Sequence, residues 1–517
     1  MELVWHKGYE DYDDPAWQAR KDRLTAAWKS VSLQQADGMD TEALLDHLEL
    51  AEELMRHYTA VKDFRNLEPV MRSYESMLKL LRSRQPDRAG YWYLEMEYNR
   101  INAVLYLDQK SNRQAVGYFE QAIASGDRCY ACLQSEAPQL GDEQRLYLAW
   151  ACAECRGEMA LACERMLDIA GMYQVLTGTA PILQYIESCL GDAYGIWEKA
   201  AGLYSQIGAA CYQNNEFGKG DLHYGNAERM YDRLAEELDS DFCRAKGLWI
   251  YSLHGIDAFT RAGKAEVMLA CEREVKAFLE GGAAGSDRAI AQGALGMSYM
   301  QHGVALQQSG DLKAAVPWTE QSVDLFGNAQ EALEKDMESL ENSMARGELS
   351  NIAARLYSSS VAAMDVLGVQ YFASDRFPEA RGVFEEALSM LTDSHGYTIA
   401  ESASLLIRAE CCEYLAMLAV EDGDRHKIDF YGTQAMDLGE EAARKSGNPA
   451  AWQIVVVSAS LVSEVAEALK EKPKMGAAAA RGLAACDELA RLIPDSGILV
   501  MRGKLERREK KSRRRLF

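Results

Sequence analysis

The stretch LGVQYFASDRFPEARGVFEEAL, Leu367 to Leu388, decides how the rest of the chain is read. Apolar residues recur every three or four positions on both sides of Ser374-Asp375-Arg376, which describes two amphipathic helices joined by a tight turn. Leu367, Gly368 and Tyr371 fall in the first helix, and Ala380, Phe384 and Ala387 follow in the second as A-x3-F-x2-A. Small residues let two antiparallel helices approach closely, while the aromatics fill the space beside them.

That order of residues closely resembles a tetratricopeptide repeat. The resemblance implies an all-α fold, a right-handed α-solenoid of helical hairpins whose first helices bind extended or helical peptides. The same frame fits Ala103, Tyr106, Ala115, Phe119 and Ala122, then Gly208, Cys211, Gly220, Tyr224 and Ala227, then Gly303, Leu306, Ala315 and Ser322. Weaker matches are Met55/Tyr58/Tyr74, Ala153/Ala162/Ile169, Phe259/Val275, Ala416/Ala419/Ala435 and Ala466/Leu469/Ala485. Turns are expected near Lys62, Lys110, Gly157, Asn215, Gly263, Gly310, Asp375, Gly423 and Pro473. Several are Gly or Asn, which accept a left-handed helix end. Their intervals of 48, 47, 58, 48, 47, 65, 48 and 50 residues exceed the family's usual unit of about 34, so longer helices are expected.

About nine hairpins are therefore expected over residues 41–497. A helical cap precedes them at 1–40, carrying Trp5, Trp17 and Trp28, and a basic tail follows at 498–517. The long interval predicts an extended or extra helix near 328–360, either a longer solvated helix or an arm for a partner.

A chain of 517 residues is too long for one compact core, which agrees with a repeat array. The N-terminus is acidic without an apolar run, and no window has the roughly 18 continuous apolar residues of a membrane span. Twelve cysteines, two of them adjacent at Cys411 and Cys412, suit reduced thiols, so a cytoplasmic setting without membrane contact is expected. The net charge of −23 is uneven, because residues 502–517 hold nine Lys/Arg and two Glu. That tail carries +7, which leaves −30 on the body, a field that repels nucleic acid. Polyanion or partner contact is thus confined to Arg507, Arg508, Lys510, Lys511, Arg513, Arg514 and Arg515. Three readings of the tail stay open: a solvated end, a segment docked on the acidic body or a partner, or a grip on RNA.

Two CxxC pairs, Cys129/Cys132 and Cys152/Cys155, have the sequence spacing of a four-cysteine zinc site. In the helical frame Cys132 lies roughly 6 Å and Cys152 roughly 15 Å from the turn between them. Four zinc-bound thiolates must come within about 4 Å of one another, so no metal is expected. Phosphate-loop, HExxH, GxSxG and dinucleotide fingerprints are missing from the sequence, the histidines are scattered, and no catalytic residue or cofactor is expected.

No helix-turn-helix module precedes the repeats. Nor do they carry the Lys/Asn groove set of the family's chaperone-binding members: those positions hold Arg100 and Val104, Ser205 and Ala209, Leu253 and Asp257, Met300 and Val304, and Asp365 and Val369. By the family resemblance, Arg100, Tyr212, Gln213, Asp257, Arg261 and Gln307 face the peptide groove. The expected function is a non-enzymatic scaffold or adaptor that binds another protein or peptide. The alternatives are a peptide-responsive regulatory sensor and an accessory subunit that contacts RNA through the tail.

Overall fold

Among the described residues, a backbone N–H just beyond the first helix of a pair reaches back at nine turns to a carbonyl five or six residues earlier. The donors Asp63, Ser111, Asp168, Glu216, Asp311, Arg376, Asp424 and Glu471 bond Tyr58, Tyr106, Cys163, Cys211, Leu306, Tyr371, Ala419 and Ala466, and Lys264 bonds Ala258. Such bonds satisfy carbonyls orphaned at a helix C-terminus and require a left-handed residue beside them. Lys62, Asn215, Gly263, Gly310, Asp375, Gly423 and Lys470 supply it, with φ between 57° and 88°. These belong to a computed structural model that describes all residues except 1–14, 32, 85–87, 110, 137–139, 167, 190, 192, 340–342, 394–400, 494–498 and 514–517.

The described residues are helical throughout, without a strand. Two leading helices, α1 (Pro15–Lys29) and α2 (Leu33–Asp37), are followed by α3 (Thr41–Ala60) with α4 (Phe64–Arg84), and α5 (Ala89–Asp108) with α6 (Asn112–Glu136). Next come α7 (Asp142–Arg165) with α8 (Ile169–Cys189), α9 (Tyr194–Gln213) with α10 (Phe217–Leu238), and α11 (Asp241–Ala262) then α12 (Ala265–Glu280). The remainder are α13 (Gly285–Gln308) with α14 (Leu312–Ser339), α15 (Ser343–Ala373) with α16 (Phe377–Asp393), α17 (Glu401–Glu421) with α18 (Arg425–Ser446), and α19 (Pro449–Ala468) with α20 (Lys472–Leu492). A last helix, α21, spans Leu499–Arg513. Local sequence starts several of them: Asp40, Ser240, Asp424 and Asn448 each accept a first-turn N–H, and Pro449 opens α19.

The chain divides into two units, Met1–Lys264 with Asn342–Met344, and Ala265–Glu341 with Ala345–Phe517. In the first, α1 packs on α3 and α2 on α4, with Trp28 stacked on His47 at 4.5 Å between ring centroids. The Trp5 residue and the Trp17 side chain lie outside the described residues. Each second helix then packs on the next first helix, and α3, α5 and α7 lie side by side, as do α9 and α11. In the second unit α12 packs on α13, α16 on α17 and α18 on α19. A shared core joins Val316 of α14, Leu367 of α15 and Phe384 of α16. There α17 lies beside α19, and α21 lies against both α19 and α20.

Within a hairpin the close approach is set by a small residue and a partner sixteen positions later. A methyl placed on Gly208 would lie 2.7 Å from the ring of Tyr224, and one on Gly368 would lie 2.6 Å from that of Phe384. Gly303 faces Thr319 in the same way, whereas Gly432 of α18 makes room for the next hairpin, since a methyl there would lie 2.7 Å from Val462 of α19.

Two expectations change. Gly157 is not a turn but lies inside α7, where an added methyl would meet Leu203 of α9 at 2.8 Å. The third turn falls at Met166–Asp168, where Asp168 closes it, so the longer interval lies between the second and third turns. The last turn is at Lys470, and Pro473 instead enters the first turn of α20. Near 328–360, where an extended or extra helix was expected, the described residues form long helices and no added one: α14 has 28 residues and α15 has 31. Residues 349–373 of α15 and the whole of α19 are long and apolar enough to cross a bilayer. About half of each is buried against neighbouring helices, 50% and 56%.

Gly368→Ala should lower stability by about 1–3 kcal/mol, because the Phe384 ring has nowhere to go. Gly382→Ala, on the same hairpin with nothing within 4 Å of an added methyl, should raise stability by about 0.5–1 kcal/mol. Urea unfolding midpoints of the two variants measure the contrast.

Candidate partner-binding face

The first helices carry most of the buried polar chemistry. On α5, Glu97 is fully buried and accepts from Arg56 of α3 (3.0 and 3.2 Å) and from Arg100 (2.9 to 3.1 Å). Arg100 also donates to Glu158 of α7 at 2.7 Å. Arg56 pairs with Glu52 and donates to the Tyr93 hydroxyl at 3.1 Å, which meets the Tyr147 hydroxyl at 2.7 Å. One charge chain therefore ties α3, α5 and α7 together. Burial works against ionised Glu97, but Arg100 and Arg56 outweigh it and hold its carboxyl below the usual range. Burial pushes Glu158 up to about 7 against the pull of Arg100, and burial with Asp46 and Glu52 nearby pushes Glu49 to about 7.

A second cluster joins α9, α10 and α11. His254 has Nε2 3.1 Å from Asp221 and Nδ1 2.9 Å from Glu228. Lys264 reaches Asp221 at 2.7 Å, and Tyr212 donates to the same carboxylate. Tyr224 donates to Asp257 at 2.6 Å, and Arg261 donates to Asp257 at 3.3 Å. In the second unit Asp365 of α15 and Glu410 and Glu413 of α17 form a third group. Burial and then Glu410 hold Asp365 far above the carboxylate range, and the same two causes push Glu413 to about 8.

The residues expected to face a groove thus divide. Arg100 is consumed by Glu97 and Glu158, and Tyr212 is fully buried beneath Asp221, which removes both from any partner surface. Asp257 and Arg261 pair with each other, although Arg261 stays 42% exposed. Gln213 is exposed, and Gln307 accepts from Gln370 at 3.1 Å. The structure brings Tyr212, Asp257 and Arg261 into one neighbourhood but leaves Arg100 in the charge chain.

Val104, Ala209, Asp257, Val304 and Val369, already read as groove positions, belong to a row six residues before each turn; the members the sequence reading missed are Arg56, Leu161, Met417 and Glu464. In the first unit the row reads Arg56, Val104, Leu161, Ala209 and Asp257; in the second, Val304, Val369, Met417 and Glu464. Leu161 is 48% exposed, and Val104, Ala209, Val304, Val369 and Met417 are half-buried. A turn at Gly157 had put Leu161 out of register.

The basic tail forms α21. Arg508 binds Glu464 (2.7 Å), Glu467 (3.3 Å) and the Ser460 carbonyl (3.0 Å), Lys511 pairs with Glu467, and Leu505 is fully buried. Arg507 donates to the Gly503 carbonyl, Arg513 pairs with Glu509, and Lys510 is exposed. Arg514 and Arg515 lie outside the described residues. The described part of the tail thus packs on the acidic last hairpin through Leu505, Arg508 and Lys511.

The four motif cysteines are carried by α6 and α7 as helical residues. The Cys152 thiol donates to the Gly126 carbonyl, which sets Cys152 level with Gly126, nearly a helical turn short of Cys129.

No family model matches the chain, and neither does any curated protein. Among solved structures it is similar to a circular tandem repeat protein with novel repeat topology (13% identity, 91% of this chain and 96% of that one, TM-score 0.24). It is similar also to the Cut9–Hcn1 hetero-tetramer of the APC/C (11%, 95% and 97%, TM-score 0.26) and to yeast Tom70 (11%, 81% and 96%, TM-score 0.24). Likenesses of that size carry no argument. The class is set by the hairpins themselves: this is an all-α, tetratricopeptide-like helical repeat protein.

Glu97→Ala should cost about 3–5 kcal/mol, since it strands Arg56 and Arg100 in the interior. The stabilisation from Glu97 is present above the ordinary carboxylate value and lost as pH falls through the lowered one. Glu413 has the opposite sign. Its contribution is full below its ordinary 4.5 and is lost as pH rises through about 8. Thermal melts between about pH 5 and pH 9 should show a smaller decline for Glu413→Gln than for the wild type.

Proposed function

We propose that the chain is a non-enzymatic protein- or peptide-binding scaffold or adaptor of the cytoplasm whose partner lies along the first helices. The observation that carries this reading is the row six residues before each turn. Its members are apolar at Val104, Leu161, Ala209, Val304, Val369 and Met417, yet each keeps part of its surface in solvent. Second helices expose apolar side chains too, among them Phe64, Ile169, Leu222, Leu269 and Phe430, so the row is distinguished by its recurrence six residues before the turns rather than by exposure. Within each unit, a row that recurs at helix-hairpin spacing offers an extended or helical segment a series of anchors. Polar groups on these helices are largely paired with one another, so they orient the row rather than compete for the partner.

Photo-crosslinking amino acids at Leu161 and Val304, compared with Leu222 and Phe430, test the reading in cells at native expression. A discrete partner should be captured from the first two positions and not from the second two. Leu161→Glu combined with Val304→Glu should weaken its recovery at least tenfold. Equal capture from both faces would overturn the proposal, as would none from either.

A further inference from the structure

We infer that His254 is a pH-gated clamp, a doubly protonated imidazole that holds α11 to two carboxylates of α10 and loosens that joint when it loses a proton. Both ring nitrogens lie within hydrogen-bond distance of a carboxylate oxygen, Nε2 at 3.1 Å from Asp221 and Nδ1 at 2.9 Å from Glu228. A neutral imidazole carries one N–H, so it would aim a lone pair at one of these oxygens. The imidazolium satisfies both. Its ring lies nearly parallel to Tyr224, 4.8 Å between centroids, and tilted against Tyr212 at 6.1 Å. With these rings beside it, the side chain is only 11% exposed.

Within the first unit, α9 and α10 are the helices packed on α11. The groups facing the ring from them are Tyr212 on α9, and Asp221, Tyr224 and Glu228 on α10. Asp257 and Arg261 stand on α11 itself, and Lys264 closes the cluster from the turn. Burial works against the ionised form of Asp221, but hydrogen bonds from Lys264, Tyr212 and His254 outweigh it and hold the carboxyl at about 2, so it stays ionised whenever the imidazole titrates. Burial pulls the imidazole down, but the hydrogen bonds and charges of Glu228 and Asp221 outweigh it, and the balance lies above the ordinary 6.5. The sign follows. The clamp is at full strength below 6.5 and is lost as pH rises through the higher folded value. One of its two bonds then becomes a repulsion between a lone pair and a carboxylate.

The test uses the full chain with labelled histidine, the ring signals of His254 being assigned from their loss in His254→Gln. At neutral pH the ring should be doubly protonated and titrate above 6.5. Glu228→Gln, which keeps the imidazole but removes one carboxylate charge, should lower its proton affinity about tenfold, roughly one pH unit. Hydrogen exchange, corrected for intrinsic rates, should show residues 217–262 of the wild type losing protection several-fold from about pH 6 to pH 8, with little change in either variant. A His254 that titrates at or below 6.5, or that exists as one neutral tautomer at neutral pH, would overturn the clamp. So would the same pH-dependent loss of protection in both variants.

Discussion

Two helices of a hairpin come this close only where one of them gives up its side chain. Gly208 lies under the ring of Tyr224, Gly368 under that of Phe384, and Gly303 against Thr319. The contact sets how a hairpin closes, and a hairpin closed the same way each time presents the same two flanks to its neighbours. Stacking then buries a core that no hairpin could bury alone. The turn bonds at Tyr58, Cys211, Tyr371 and their equivalents follow from the same geometry, because the second helix must start immediately where the first ends.

The charge that this fold places inside is held by pairing across helices. Removing Glu97 from water costs several kcal/mol, and guanidinium groups from two different helices offset that cost. The result is registration of α3, α5 and α7 against one another, a job that apolar contacts, being non-directional, do less sharply. Carboxyls that face no cation, Glu413 and Asp365 among them, are pushed by burial and by Glu410 toward the protonated form instead. An acidic body relieves part of its self-repulsion in that way. The tail relieves another part, since Arg508 and Lys511 lie on Glu464 and Glu467 of the last hairpin.

Legibility in the sequence followed the range of the interaction. The turns at Asn215, Gly263, Gly310, Asp375 and Gly423 were readable because a left-handed backbone leaves its mark on the residue that adopts it. Around the third turn no glycine or asparagine marks the chain end, and Gly157 looked like a terminator because its true purpose lies in Leu203, on another helix. The site was less legible than the fold. Tyr212 occupied a plausible groove position, yet its hydroxyl is taken by Asp221; Arg100 did too, yet Glu158, 58 residues away, takes its guanidinium.

By itself the sequence determined an all-α repeat of long helical hairpins and the places where most of them turn, because periodicity, turn residues and the small-to-aromatic pairing act within one hairpin. Only the tertiary structure decided which first-helix side chains remain for a partner and which are consumed inside. That choice depends on the helix arriving alongside, and the groups that neutralise Glu97, Asp221 or Glu467 come from elements tens of residues away.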